Sequence, residues 1–192
     1  HLKVTENYNA YKIMRGDSAI GYKNLYLPPL EFNTVGFFFT FPISIEDELW
    51  GKRSSDKEIL EMRIKRKNVD IRKELFGGSL HGIEHAMIGI MPFHVMCDRW
   101  DIGGLSTNFH PSTGKPTVFI YDGFEGGIGL SEKAYELFGE IVKTSVELVK
   151  ECSCEEGCPA CIYSPKCGND NKPMDKKGAI FLLEKIKGNI SF

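Results

Sequence analysis

Five of the six cysteines of this 192-residue chain fall within sixteen residues, from Cys152 to Cys167, and that clustering constrains the fold more than any other feature. Core packing does not gather thiols this way. The segment Cys152-Ser153-Cys154-Glu155-Glu156-Gly157-Cys158-Pro159-Ala160-Cys161 is rich in turn residues and is followed by Cys167-Gly168. A tetrahedral Zn²⁺ site needs four soft donors on such a backbone. Cys158 and Cys161 form a Cys-x-x-Cys knuckle whose thiolates reach one ion from one turn. Cys167 follows a five-residue loop that can bring back a third ligand. The fourth is Cys154 or Cys152. Their side chains, two residues apart, are expected to diverge, and Cys154 is preferred because only three residues separate it from the knuckle. The expected ligand set is therefore Cys154, Cys158, Cys161 and Cys167, with zinc in a structural role. An all-thiolate shell leaves no position for a reacting water. The cysteines are not spread along the chain as in a disulfide framework.

The composition, 42% hydrophobic and 26% charged, supports a folded core. We expect one domain over residues 1–192, with 152–168 as its zinc-binding knuckle. The formal net charge of −2 does not announce a nucleic-acid binder. Charge is uneven, however. Residues 51–75 carry a local basic excess that includes Arg63, Lys65, Arg66 and Lys67. Such a stretch is a candidate phosphate-contact surface, with a solvated helix face as the plainer reading. No run reaches the length of a membrane span and none resembles a secretory signal, so the cytoplasm is the expected compartment.

Strand-like runs open the chain: Ala10 to Arg15, a Gly16-Asp17-Ser18 turn, Ala19 to Leu27, and an aromatic-rich run from Leu30 to Phe41. A helix is expected from Ile45, capped by Ser44. Residues 56–75 read as a helix or a mobile insertion. Gly77-Gly78-Ser79 then precedes an apolar core helix, Leu80 to Met91, stopped by Pro92. Residues 98–105 read as a polar turn region. A hairpin-like loop, His110 to Pro116, leads into a central strand, Thr117 to Tyr121. One long helix is expected over 130–150 and an amphipathic one over 175–187. The class is α+β: a small mixed or antiparallel sheet, packed helices, and a four-cysteine zinc knuckle between the last two helices.

Two further motifs carry chemistry. His81-Gly82-Ile83-Glu84-His85 matches the inverted metalloprotease pattern, with both histidines on one helix face. Hydrolysis there would need a third ligand, for which Asp98, Asp101, Asp122 and Glu125 are available. The favoured role is polar anchoring of the acidic glycine turns. Asp122-Gly-x-x-Gly-Gly-x-Gly lies between strand and helix, where backbone N–H groups could receive a phosphate. It is neither a Rossmann nor a Walker A pattern, and its acids would repel phosphate. A structural turn is favoured.

Taken together, the chain from about Leu27 to Ile186 resembles the C-terminal zinc-binding domain of the MrfA-type and Hrq-type DEAD/DEAH-box helicases. The resemblance rests on Thr34, His81, Glu84-His85-Ala86, Asp101-Ile102-Gly103-Gly104, Tyr121-Asp122 and Gly126-Gly127-Ile128-Gly129. It continues through Cys154-x3-Cys158-Pro159-x-Cys161-x2-Ser164-Pro165-x-Cys167-Gly168-Asn169, Asn171 and Asp175-Lys176. It implies a zinc-stabilised accessory module of a superfamily 2, ATP-dependent 3′→5′ DNA helicase acting in DNA repair. Such a module braces two motor domains in cis and contacts single-stranded or 3′-tailed DNA. ATP and Mg²⁺ would belong to the motor domains, whose motifs this chain lacks. The chain alone is expected to be no enzyme. Its opening on His1 is expected to mark it as a piece of such a helicase rather than a stand-alone relative. DNA contacts are expected from Arg63, Lys65, Arg66 and Lys67, with Lys172. The competing reading is a metallohydrolase at His81/His85, and a third is a purely structural or protein-interaction zinc domain.

Overall fold

The computed structural model describes residues 1–16, 18–67 and 69–189. The Gly16-Asp17-Ser18 turn has its centre, Asp17, outside them. The helices and strands form an α+β fold whose described strands pair antiparallel throughout. β1 (Leu2–Glu6) pairs with β4 (Leu30–Thr34), and β2 (Ala10–Arg15) with β3 (Ser18–Asn24). A third sheet has the order β5 (Gly36–Thr40), β7 (Lys115–Asp122), β6 (Ile102–His110). The expected central strand, Thr117 to Tyr121, is therefore the middle of that sheet, and the His110–Pro116 loop joins it to β6 in a hairpin.

The aromatic run that reads as one strand breaks at Val35. Its first half pairs with β1 and its second with β7. Val35 marks the crossing: its carbonyl accepts from the Asp122 N–H at 3.0 Å and from the Ser131 hydroxyl at 3.1 Å. A Cβ at the neighbouring Gly36 would come within 2.7 Å of the Ile120 carbonyl oxygen, so only glycine fits.

The core is built around α3 (Ile71–Val95), which packs against α6 (Lys176–Asn189), β6 and α5 (Phe138–Glu151). α3 is longer than its apolar pattern predicts. It runs through Gly77 and Gly78 because the missing side chains admit the Asn108 side chain at the first and the Met174 backbone at the second. A Cβ at Gly78 would meet Met174 backbone at 3.0 Å, and one at Gly82 would meet the Ala179 Cβ at 2.8 Å. Pro92 lies in the last turn; it has no N–H to offer the Ile88 carbonyl, yet the helix continues to Val95. The helix is buried on nearly every side, which fits its lack of a polar face.

α1 (Ile45–Arg53) starts where expected, although the Ser44 hydroxyl makes no cap bond. α2 (Lys57–Lys65) fills part of the 56–75 region. The polar turn expected over 98–105 is instead a 3₁₀ turn at Arg99–Asp101 followed by β6. The long helix over 130–150 is two, α4 (Leu130–Glu136) and α5, interrupted at Leu137 so that Phe138 turns onto Phe37 and Phe39. No helix among the described residues is long and apolar enough to cross a membrane.

Candidate metal centre

α5 ends at Cys152, whose N–H donates to the Leu148 carbonyl at 3.2 Å. The chain then leaves the helix extended at Cys152 and turns at Gly157, where φ is +127°. The knuckle closes when the Cys158 carbonyl accepts from the N–H groups of Cys161 and Tyr163, both at 3.0 Å. Four thiols converge. Cys152 lies 3.5 Å from both Cys154 and Cys158, Cys154 lies 3.5 Å from Cys161, and Cys158 lies 3.8 Å from Cys161. All four sulfurs are within 4.8 Å of one another. A tetrahedron with Zn–S bonds of about 2.3 Å has S···S edges of about 3.8 Å, so the cluster has the size and donor chemistry of a structural zinc site.

This quartet contains Cys154, Cys158 and Cys161 as expected, but Cys152 stands where Cys167 was expected. The anticipated divergence of Cys152 and Cys154 reverses the pleat rule: on extended backbone, residues two apart share a face. The four thiols are not equivalent. The Cys154 N–H draws the Cys152 thiol down to about 7, whereas burial pushes the Cys161 thiol up to about 12. Lys176, at the start of α6 and buried, supplies positive charge. Its ammonium donates to the carbonyls of Cys152 and Cys154, both at 2.6 Å, and lies 3.4 Å from the Cys154 sulfur. Nothing in the sequence singles out this lysine beyond its place among the markers of the resemblance, since a lysine opening an amphipathic helix reads as solvent-exposed.

Cys167 lies elsewhere because its loop is pinned over α3. The Lys166 ammonium donates to the carbonyls of Arg99, at 2.8 Å, and Ile102. Cys167 faces His81, with Sγ 3.5 Å from Nε2, and forms a second cluster with His81 and His85. Burial alone would raise the Cys167 thiol. Hydrogen bonding with the His81 and His85 side chains, together with the Asn169 and Asn171 N–H groups, outweighs it and brings the thiol down to about 5. The histidines anchor this cysteine-bearing loop rather than the acidic glycine turns. His81 Nδ1 reaches the Pro173 carbonyl at 2.9 Å and His85 Nδ1 the Ile162 carbonyl at 2.8 Å. Glu84 is buried, which pushes its carboxyl up against the opposing effect of a hydrogen bond with Ser106. Among the described residues, none of Asp98, Asp101, Asp122 or Glu125 joins the histidines. Asp98 and Asp101 instead cap the 3₁₀ turn reciprocally.

The glycine-rich turn after β7 is structural, as favoured. The buried Asp122 carboxylate accepts four N–H groups at the start of α4, from Ile128, Gly129, Leu130 and Ser131, at 2.6, 2.9, 3.2 and 2.7 Å. It occupies the place a phosphate would take. Burial would raise its pKa, but these donors hold it below the ordinary aspartate value.

The basic residues lie on and after α2. Arg63 sits over the Trp50 ring at 5.8 Å, Lys65 pairs with Glu61 at 3.4 Å, and Arg66 pairs with Glu74 at 2.6 Å. Lys67 is exposed. Arg66 and Lys172 line one cleft, together with the acids Glu58, Glu74 and Asp175.

Comparison with known proteins gives a consistent picture. The MrfA Zn-binding domain matches residues 83–162. An uncharacterized protein of Methanocaldococcus jannaschii is 46% identical over 110 residues, which cover 56% of this chain and 98% of that protein. The uncharacterized ATP-dependent helicase YprA of Bacillus subtilis is 38% identical over 101 residues, covering 53% of this chain and 14% of the helicase. The crystal structure of the DUF1998 helicase MrfA bound to DNA superposes with a TM-score of 0.60 and 25% identity, over 96% of this chain and 21% of the helicase.

Proposed function

The chain belongs to the MrfA Zn-binding domain family, and from that premise we propose that it is the zinc-braced accessory module of an ATP-dependent 3′→5′ DNA-repair helicase. Residues 1–192 act as one unit, with Cys152, Cys154, Cys158 and Cys161 holding a structural zinc ion. The module braces motor domains in cis, where ATP and Mg²⁺ bind, and touches DNA by its phosphates. The observation that carries this reading is the likeness of 96% of the chain to the helicase MrfA, in a structure with DNA bound.

Single-stranded or 3′-tailed DNA is the expected ligand, met by Arg63, Lys65, Arg66, Lys67 and Lys172. Glu61 and Glu74 already engage Lys65 and Arg66, so phosphate must displace them and affinity is modest. Such contacts carry no base readout. Fluorescence anisotropy with a 3′-tailed duplex tests this. For three phosphate contacts, binding is expected to fall roughly 20- to 40-fold between about 50 and 200 mM salt. A Lys65→Glu/Arg66→Glu variant is expected to bind more weakly at both. Equal binding by the variant would make this face a solvated helix surface. Absence of binding at any salt would leave bracing as the module's role.

A further inference from the structure

We propose that His81, His85 and Cys167 form a second metal site, separate from the four-cysteine cluster, for a divalent d-block cation, with zinc the best match. The argument begins with the histidine tautomers. His81 Nδ1 faces the Pro173 carbonyl at 2.9 Å and His85 Nδ1 the Ile162 carbonyl at 2.8 Å. A carbonyl only accepts, so each Nδ1 carries its proton and each neutral ring keeps its lone pair on Nε2. This is the arrangement that second-shell carbonyls impose on metal-binding histidines. One helical turn apart on α3, the rings meet edge-on, with centroids 4.2 Å apart and planes inclined by 63°.

Both imidazoles converge with a thiol. The ligand atoms of His81, His85 and Cys167 lie within 4.8 Å of one another, and Cys167 Sγ is 3.5 Å from His81 Nε2. With bonds of about 2.3 Å to sulfur and about 2.05 Å to nitrogen, a tetrahedral zinc ion has N···S edges of about 3.6 Å. A neutral thiol has one proton to offer two imidazole acceptors, so one lone pair stays unmatched. A cation bound by both rings and the thiolate satisfies all three donors at once. Mixed imidazole and thiolate donors suit zinc. The Asn171 N–H, 3.3 Å from Cys167 Sγ, supports the thiolate.

Three protein ligands leave a fourth position for water from the cleft of about 930 Å³ that all three residues line, with Glu84 and Lys166 also on its wall. In that respect the site differs from the closed four-thiolate shell.

The test is metal stoichiometry on the purified 192-residue chain by mass spectrometry of the metal, with Co²⁺ replacing zinc for visible spectra. Two equivalents per chain are expected. Cys167→Ser and His81→Asn are each expected to drop one equivalent and keep the four-thiolate cobalt spectrum. The asparagine amide still offers an N–H to Pro173 but removes Nε2. Cys158→Ser is expected to lose the other equivalent. A folded wild-type chain that binds a single equivalent, unchanged by Cys167→Ser, overturns the proposal even if a variant misfolds. Two equivalents that both disappear with Cys158→Ser and survive His81→Asn overturn it as well.

Discussion

Exchanging one ligand at a time decides which cysteines hold the structural zinc, and the perturbations are Cys152→Ser and Cys167→Ser. The Cys152 sulfur lies 3.5 Å from two other sulfurs of the quartet, whereas Cys167 faces His81. Structural zinc contributes roughly 10–16 kcal/mol, so an equal share per thiolate is about 2.5–4 kcal/mol, or on the order of 10²–10³-fold in affinity. Cys152→Ser is expected to weaken the four-thiolate site by that factor. Cys167→Ser, with no ligand shared, is expected to leave it within about twofold. The assay is chelator competition followed through the thiolate-to-cobalt charge-transfer band, which is dominated by the four-sulfur site. The reasoning is refuted if Cys167→Ser causes the larger loss, because the knuckle would then recruit its fourth ligand from the loop, as the sequence spacing suggests.

Two further outcomes test the surroundings of the centre. Lys176→Met removes the cation that donates to the Cys152 and Cys154 carbonyls; it is expected to weaken zinc binding about 10- to 100-fold, measured by the same competition. Asp122→Ala strips a buried carboxylate from four N–H donors and is expected to cost about 3 kcal/mol in urea unfolding, with a loss under about 1 kcal/mol counting against the cap. Because the folded Asp122 pKa is lowered, its contribution is complete above the unfolded value of about 3.9 and is lost as pH falls through the folded value. Asp122→Asn should therefore flatten the acid limb of stability against pH.

Much of this was legible in the sequence where one residue type or one period decides the matter. The thiol cluster, the core helix, the central strand and the hairpin all follow from local pattern. What escaped was set by approach between distant segments. Gly77 and Gly78 read as a break, yet they lie inside α3 because Asn108 and Met174 come close there. Val35 interrupts an apolar run only because Asp122 and Ser131 claim its carbonyl. Arg53 looks like one more surface cation, but it is buried among Asp56, Glu58 and Asp175 and ties α1 to the start of α6. Cys167 lies away from the knuckle for the same reason: loop length allows it to return there, whereas Lys166 beside it contacts carbonyls of residues more than sixty positions away.

Those distant contacts also bear on what the metal does for the fold. Cys152 caps α5, and Lys176 joins the cysteine backbone to the first turn of α6. Ile162, next to the knuckle thiol Cys161, accepts from His85 in the middle of α3. The cluster is thus a junction of three core helices and not an appendage hung on a finished core. A typical domain is stable by about 5–15 kcal/mol, the same order as a structural zinc ion supplies. Ion removal should therefore loosen the packing of α3, α5 and α6 together. Core helices that share one junction give the domain a fixed outer surface, and that rigidity is the property the proposed bracing role draws on.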